Sequence, residues 1–474
     1  MNVDTLIINA DLFTMQGEGV GYVDCGAVAI DKGRIIEVGS TEALQKEFNA
    51  EETIDATNMM VLPGFVDAHM HTYWAILRGV AQDTHNWMLR GVEPFRPYLT
   101  DENMTAGAKM NVLEGLATGT TTFCDYTFPA LDSAKFFHEI GVRACVTGFV
   151  REVPKVLDKL EVGELYPFDP SFGEYTLNRN LELIEKWHGK DNNRIQALLG
   201  PQGPDFMSAE FMKKVKNLAT EKDVKIHMHV AQSTRETEQI LKRYNKRSIA
   251  LLDELGFLDE SLIAVHLTDA TEEEVKLLVD RNVSMVVCSG SIGVIAGRVP
   301  PAYSFIKAGG NVGLGSDQAS GNNCNQVINE MKLTALFNKV KYTDPEVIPA
   351  WKALRMGTIE GARAVGLGDE VGSLERGKKA DIIFVDLGTR TMQPVIKKPM
   401  RNHVPNLVYS ARGDEIRRVM VDGKTLFLND EYLTVNEAEI MSDAQKFATE
   451  LTDQVREEDF KNTKSYELMQ NGKL

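Results

Sequence analysis

Two His-x-His pairs, His69-Met70-His71 and His227-Met228-His229, each follow a short apolar run. His266 closes a third run, Leu262-Ile263-Ala264-Val265. Asp317 follows a fourth, Val312-Gly313-Leu314-Gly315-Ser316. Gln232 stands three residues after His229. Of the nine histidines in 474 residues, five lie in these groups. A chain with polar residues at the ends of so many separate strands needs a fold that gathers those ends. A parallel barrel does this, because the C-terminal ends of its strands share one face.

The rest of the chain agrees with an α/β barrel. Residues 61–365 alternate short β-branched or apolar runs with amphipathic stretches at 103–117, 208–221 and 236–256. That alternation predicts a parallel barrel or a doubly wound sheet. No GxGxxG or Walker A pattern follows any run, which disfavours a nucleotide-binding sheet. Both ends read as hairpins instead. Gly26–Ile30 and Ile35–Val38 flank Asp31-Lys32-Gly33, and Arg418–Val421 and Thr425–Leu428 flank Asp422-Gly423. We expect residues 1–60 and 366–433 to meet in one small β-sandwich, with 61–365 as the barrel. Residues 434–474 form a charged helical tail, packed at a subunit interface or capping the sandwich.

In a strand, residues two apart face the same side, so a strand-end His-x-His aims both imidazoles at one point. Imidazole is the commonest ligand of zinc-like cations. One such pair also describes two surface histidines beside a loop; a second pair shifts the balance toward a metal. Only one member of the second pair is needed as a ligand, leaving the other as a core histidine or one that orients a ligand. His266 alone would be structural; in this series it reads as a contact to substrate or water. Asp317 fits a helix N-cap. It also fits metal ligation combined with proton abstraction, and we favour the latter because a buried carboxylate needs compensation.

Composition bounds the partners. With 52 basic and 68 acidic side chains, the net charge of −16 argues against nucleic acid and anionic membranes. Five scattered cysteines without CxxC spacing predict reduced thiols. The N-terminus lacks a signal-peptide pattern, and no apolar run reaches membrane-spanning length. A cytoplasmic protein acting on a small molecule is expected.

Several longer motifs extend these groups. They are Leu62-Pro63-Gly64-Phe65-Val66-Asp67-Ala68-His69-Met70-His71, Leu77-Arg78-Gly79-Val80-Ala81, Gly119-Thr120-Thr121-Thr122, and Gly315-Ser316-Asp317 followed by Asn322-Asn323. Gly361-Ala362-Arg363-Ala364 and Gly372-Ser373-Leu374-Glu375-Arg376-Gly377-Lys378-Lys379-Ala380-Asp381 complete the set. Together the chain resembles the amidohydrolase superfamily over nearly its whole length. The branch is that of cyclic-amidine deaminases and triazine hydrolases, with the deaminase of S-adenosylhomocysteine and methylthioadenosine. The resemblance implies a distorted (β/α)8 barrel with a β-sandwich from both ends, and a homodimer or larger homo-oligomer. It implies one divalent ion held by His69, His71, His229 and Asp317, with zinc first and iron, manganese or cobalt also suited to that set. It casts Asp317 as proton acceptor, His266 as the residue orienting the attacked group or the water, and Trp87 as a pocket wall. The alternative for Trp87 is simple packing onto the barrel.

The chain departs from the branch in several places. Gln232 stands where deaminases usually carry the glutamate that protonates the ring nitrogen. Asp269 is the second polar residue after His266. Val286-Val287-Cys288-Ser289-Gly290-Ser291 replaces a His, Pro and Ser-Asn pattern, and His85 occupies the ribose-gripping position. These departures read against an adenosine-type substrate. The expected reaction is hydrolysis at an sp² carbon of a nitrogen-rich cyclic or amidine-like molecule, by deamination or related C–N cleavage. A chlorohydrolase, a cyclic-amide ring-opening enzyme and an inactive barrel used for binding or assembly are the alternatives.

Overall fold

The computed structural model describes residues 1–154, 163–461 and 463–474. Eight parallel strands lie in the middle of the chain: β1 Phe65–Met70, β2 Thr120–Thr127, β3 Arg143–Gly148, β4 Ile195–Leu198, β5 Ile226–Val230, β6 Leu262–His266, β7 Ser284–Val287 and β8 Val312–Leu314. They form two four-stranded sheets, β1 to β4 and β5 to β8. Isolated parallel bridges span both seams, Leu199 with Ile226 and Met70 with Asp317. At the second seam Asp317 N donates to His69 O (2.9 Å) and His71 N donates to Asp317 O (3.0 Å). The strands therefore run round a barrel, and their near-continuous burial explains why they read as unbroken apolar runs.

One apolar run proves to be two strands. Val61 to Asp67 divides at Gly64, with Met59–Pro63 in the terminal sheet and β1 in the barrel. A Cβ at Gly64 would lie 2.1 Å from Thr121 Oγ1, so only glycine allows this close crossing. Gly315 works similarly after β8. A Cβ there would sit 2.7 Å from His69 O, so its absence lets Asp317 come in beside His69.

The expected helix over 236–256 is instead two, Thr234–Tyr244 and Ser248–Glu254. Asn245 takes a left-handed φ of 53° and ends the first, as asparagine does at C-caps. The other two expected helices are Asp101–Ala117 and Ala209–Lys222.

Both chain ends build one nine-stranded sheet, joined where Met59–Pro63 pairs antiparallel with Ile382–Asp386. Ile7 and Val28 from one end share an apolar cluster with Ile382 and Met420 from the other. The sheet docks on the barrel through Arg143, buried at the start of β3, whose Nε and Nη2 donate to the Asp381 carboxylate at 2.8 and 2.9 Å. The helix Glu437–Thr452 lies against Asp101–Ala117, and Leu451 joins a cluster with Trp74 and Phe95. The tail thus packs on the helix Asp101–Ala117 and on the segment between β1 and that helix. Among the described residues, no helix is long and apolar enough to cross a membrane.

Candidate active site

Strand-end residues from β1, β5, β6 and the β8 turn converge. His69 Nε2, His71 Nε2 and Asp317 Oδ1 group together, with the two imidazole nitrogens 3.7 and 3.5 Å from that oxygen. His71 Nε2 and His229 Nε2 are 3.3 Å apart, and His69, His229 and His266 form a second close set. Non-glycine backbone with positive φ recurs at the strand ends: Ala231 (47°), His266 (77°) and Asp317 (60°). Such conformations are sterically costly and cluster at functional sites.

Hydrogen bonds fix the tautomers of His71 and His229. His71 Nδ1 lies 2.6 Å from Tyr126 O, and His229 Nδ1 lies 2.7 Å from Gln202 O. A carbonyl only accepts, so each Nδ1 carries the proton and each Nε2 presents a lone pair. His69 Nδ1 meets His227 Nε2 at 2.8 Å, and His227 Nδ1 meets Thr147 Oγ1 at 3.1 Å. A hydroxyl donates or accepts, so this chain runs in either direction; when His69 donates to His227, His69 Nε2, buried and without a hydrogen-bond partner among the described residues, presents a lone pair. His227 contacts His69 and is in none of the three groupings that could hold an ion, a position suited to orienting His69, one of the two roles the second pair left open.

Three imidazole lone pairs and a carboxylate oxygen facing one another repel unless something positive lies between them. Protons do not supply it near neutrality. Burial lowers the pKa of His71 to about 4 and of His229 to about 3, and drives His69 and His266 well below the ordinary histidine value. Burial raises the pKa of Asp317. This donor set of borderline nitrogens and one carboxylate fits a zinc-like divalent ion.

The shifts lead to a measurable expectation. Three histidines at the ordinary pKa would cost roughly 60-fold in metal affinity between pH 8 and pH 6 through proton competition. Here the imidazoles are already neutral across that range. Zinc affinity, read by competition with a chromophoric chelator, should fall less than about tenfold over the same range.

The carboxylate and its turn are well held. Ser291 Oγ donates to Asp317 Oδ2, and Asn325 Nδ2 donates to Asp317 O at 2.8 Å. Ser291 lies in the stretch that departs from the family pattern, so the replacement supplies its own support. Gln232 Nε2 lies 3.4 Å from His266 Nε2. The Glu236 carboxylate accepts from the backbone N–H groups of Ala231 (2.8 Å) and Gln232 (2.9 Å), pinning the turn.

A cavity of about 220 Å³ is lined by His71, His229, Gln232, Asp317 and Trp87. His85 is exposed and does not line it. The Asp269 carboxylate accepts from Thr237 (2.6 Å) and from Arg298 (3.2 Å), tying down the loop after β6, and also lies off the cavity. Sequence reasoning missed Gln202 and Arg151, both on the cavity wall and 3.2 Å apart through Arg151 Nη1 and Gln202 Oε1.

The amidohydrolase family model matches residues 60–426. The chain belongs to the amidohydrolase family. It is 34% identical over 452 residues to a 5-methylthioadenosine/S-adenosylhomocysteine deaminase of Desulforudis audaxviator, covering 95% of this chain and 99% of that protein. It is 32% identical over 454 residues to a 5'-deoxyadenosine deaminase of Methanococcoides burtonii, with 95% and 99% covered. An adenosine deaminase structure from Xanthomonas campestris with bound zinc superposes with a TM-score of 0.87 at 27% identity, covering 95% and 99%. This amidohydrolase is a hydrolase of C–N bonds, with a fold shared with zinc-containing structures. The names of these relatives stand against the expectation that the substrate is not of the adenosine type.

Proposed function

We propose that this amidohydrolase hydrolyses an exocyclic C–N bond on an aminated heteroaromatic ring, with 6-aminopurine nucleosides the first class to test. The observation that carries the reading is the convergence of His69, His71 and His229 Nε2 with Asp317 Oδ1 beside a cavity walled by Trp87. The relatives support the ring chemistry.

We assign His69, His71, His229 and Asp317 as the residues that hold the ion. A divalent ion, zinc first, would supply Lewis acidity and ease deprotonation of water there. Asp317 is the proton acceptor; its burial raises its proton affinity, which suits it to take the proton from the attacking water and later return it. His266 is neutral and, paired with Gln232, offers hydrogen bonds that orient the attacked ring. Gln232 holds but does not protonate, because an amide N–H donates hydrogen bonds but is too weak an acid to transfer its proton at neutral pH. Aromatic walls stack the ring and exclude water. In the cell, we propose a cytoplasmic homo-oligomer acting on a small molecule.

The test is a panel of 6-aminopurine nucleosides, aminopyrimidines, pterins and aminotriazines given to the zinc-loaded protein, scored for ammonia and for ring opening. Ammonia from at least one aminated ring is expected, and its loss on zinc removal with return on readdition. Ring opening without ammonia on every compound would sink the reading.

A further inference from the structure

Asp317 sits on a turn that needs outside support. Its φ of 60° is unfavourable for a residue with a side chain, and such turns persist where their surroundings hold them. Asn325 Nδ2 donates to Asp317 O at 2.8 Å, and Asn322 Nδ2 donates to Ser316 O at 2.7 Å. Ser291 Oγ, from the turn after β7, donates to Asp317 Oδ2. With Oδ2 held there, Oδ1 faces His69 Nε2 and His71 Nε2 at 3.7 and 3.5 Å.

Glu330 stands behind both the Ser291 turn and the Asp317 turn. It is fully buried in the first turn of the helix Val327–Tyr342. Its Oε2 accepts from Gly290 N at 3.0 Å, and its Oε1 accepts from Asn322 Nδ2 at 2.9 Å. Asn322 Nδ2 thus bridges Glu330 to Ser316 O. Those two partners, a carboxylate and a carbonyl, only accept, so the amide nitrogen has to face them. Four residues on, along the same helix face, Thr334 Oγ1 lies 2.8 Å from Ser289 Oγ and ties down the residue before Gly290. The fit is close. A Cβ at Gly290 would lie 2.4 Å from Glu330 Oε1 and 2.3 Å from Asn322 Oδ1, so glycine lets the turn reach the carboxylate.

Both contacts to Glu330 are N–H donors, so both of its oxygens have to accept. A carboxylate meets that demand. A glutamine does not, because its NH2 group would face either Gly290 N–H or the Asn322 amide nitrogen. Burial raises the Glu330 pKa to about 7, so the carboxylate form prevails above neutrality. Its place in the first helical turn favours a negative charge, though burying that charge still costs stability. A charge kept in the core at that cost points to what it holds.

We propose that Glu330 is a positioning residue for Asp317. By clamping Gly290 and Asn322 together, it fixes the Ser291 turn against the Asp317 turn and so aims Asp317 Oδ1 at the histidines. The proposal rests on the proposed function only in taking Asp317 as a metal ligand and proton acceptor. Glu330 does not line the cavity, so it acts through Asp317 and not on the substrate. The imidazoles are held from elsewhere: His71 by Tyr126 O, His229 by Gln202 O and His69 by His227. Loss of the clamp therefore relaxes the carboxylate and leaves the histidines in place. Residues that hold a ligand this way are worth about 10- to 100-fold in metal affinity or activity.

The test is a double-mutant cycle read by zinc affinity at pH 8, through competition with a chromophoric chelator. Glu330→Gln is made in the wild type and in the Asp317→Asn variant, with Glu330→Asp and Gly290→Ala alongside. Glu330→Gln should weaken zinc about tenfold in the wild type and less than about twofold beside Asp317→Asn, because its effect passes through the missing carboxylate. Glu330→Asp keeps both acceptors and should fall between the wild type and Glu330→Gln. Gly290→Ala should follow Glu330→Gln, and it carries the same cycle should Glu330→Gln fail to fold. On any substrate from the ammonia panel, Glu330→Gln should lower kcat by about 10- to 100-fold with KM within about threefold. An equal loss of zinc affinity in both backgrounds would mean that Glu330 only supports the barrel. No loss in the wild type would mean that the clamp does not reach the carboxylate. Either result overturns the proposal. Wild-type affinity in Asp317→Asn alone would refute the ligand assignment and this proposal with it, whereas the proposal fails by itself when Asp317→Asn weakens zinc and the cycle shows no coupling. Failure of every aminated ring in the ammonia panel would leave the zinc cycle intact.

Discussion

Replacing Asp317 by asparagine is expected to lower kcat/KM by about 10⁴-fold, or about 5.5 kcal/mol of transition-state stabilisation. Two losses combine. On the proposed assignment, asparagine removes the negative charge that would complement an ion among His69, His71 and His229, and it removes the proposed proton acceptor. The shape is kept. Ser291 Oγ can still pair with the amide, and Asn325 still holds the backbone carbonyl. Zinc content should therefore fall only in part, since three imidazoles remain, while turnover collapses. Elemental analysis beside steady-state kinetics separates the two. Activity within tenfold of the wild type would mean that Asp317 neither moves the proton nor completes the metal set.

Much of this geometry could be read along the chain, and the reason is local. A strand's two-residue period and the gathering of strand ends in a barrel together place His69, His71, His229, His266 and Asp317 without any knowledge of loops. Three things escaped. The run Val61 to Asp67 reads as one strand because apolar pattern does not show a backbone crossing; only Thr121 packed against Gly64 reveals the break. The stretch 236–256 keeps helical periodicity through Asn245, whose left-handed turn splits it. Arg151 looked like any charged residue after a strand. Its burial depends on Thr176 and Gln202, which come from other elements. His85 failed for the converse reason. It sits in the long irregular segment after β1, where no period fixes which side chains face inward, and it points out to solvent. Trp87, two residues on, does line the cavity.

Gln232→Glu should raise ammonia release from aminated rings by about 10²-fold, because it restores an acid where the family's deaminases have one. The site favours the protonated form of such a carboxyl. Glu236 already pins the same turn, and burial, with Asp205 nearby, raises the Glu236 pKa to about 7. A carboxyl at position 232 would be partly buried on the same turn, and burial raises a carboxyl pKa. The gain should appear in kcat more than in KM, since proton delivery matters at the transition state. It should also bring a new limb to the pH profile. The rate should fall as pH rises through the pKa of the new carboxyl, a limb that the wild type lacks at this position. Substrates whose leaving group departs without protonation should gain little, so the ratio between poor and good leaving groups reports the acid directly. A wild-type enzyme that already releases ammonia from simple aminopurines at ordinary enzymatic rates, with no gain and no new limb in the variant, would show that Asp317 alone manages both proton transfers. Gln232 would then serve only to hold His266 and the ring in place.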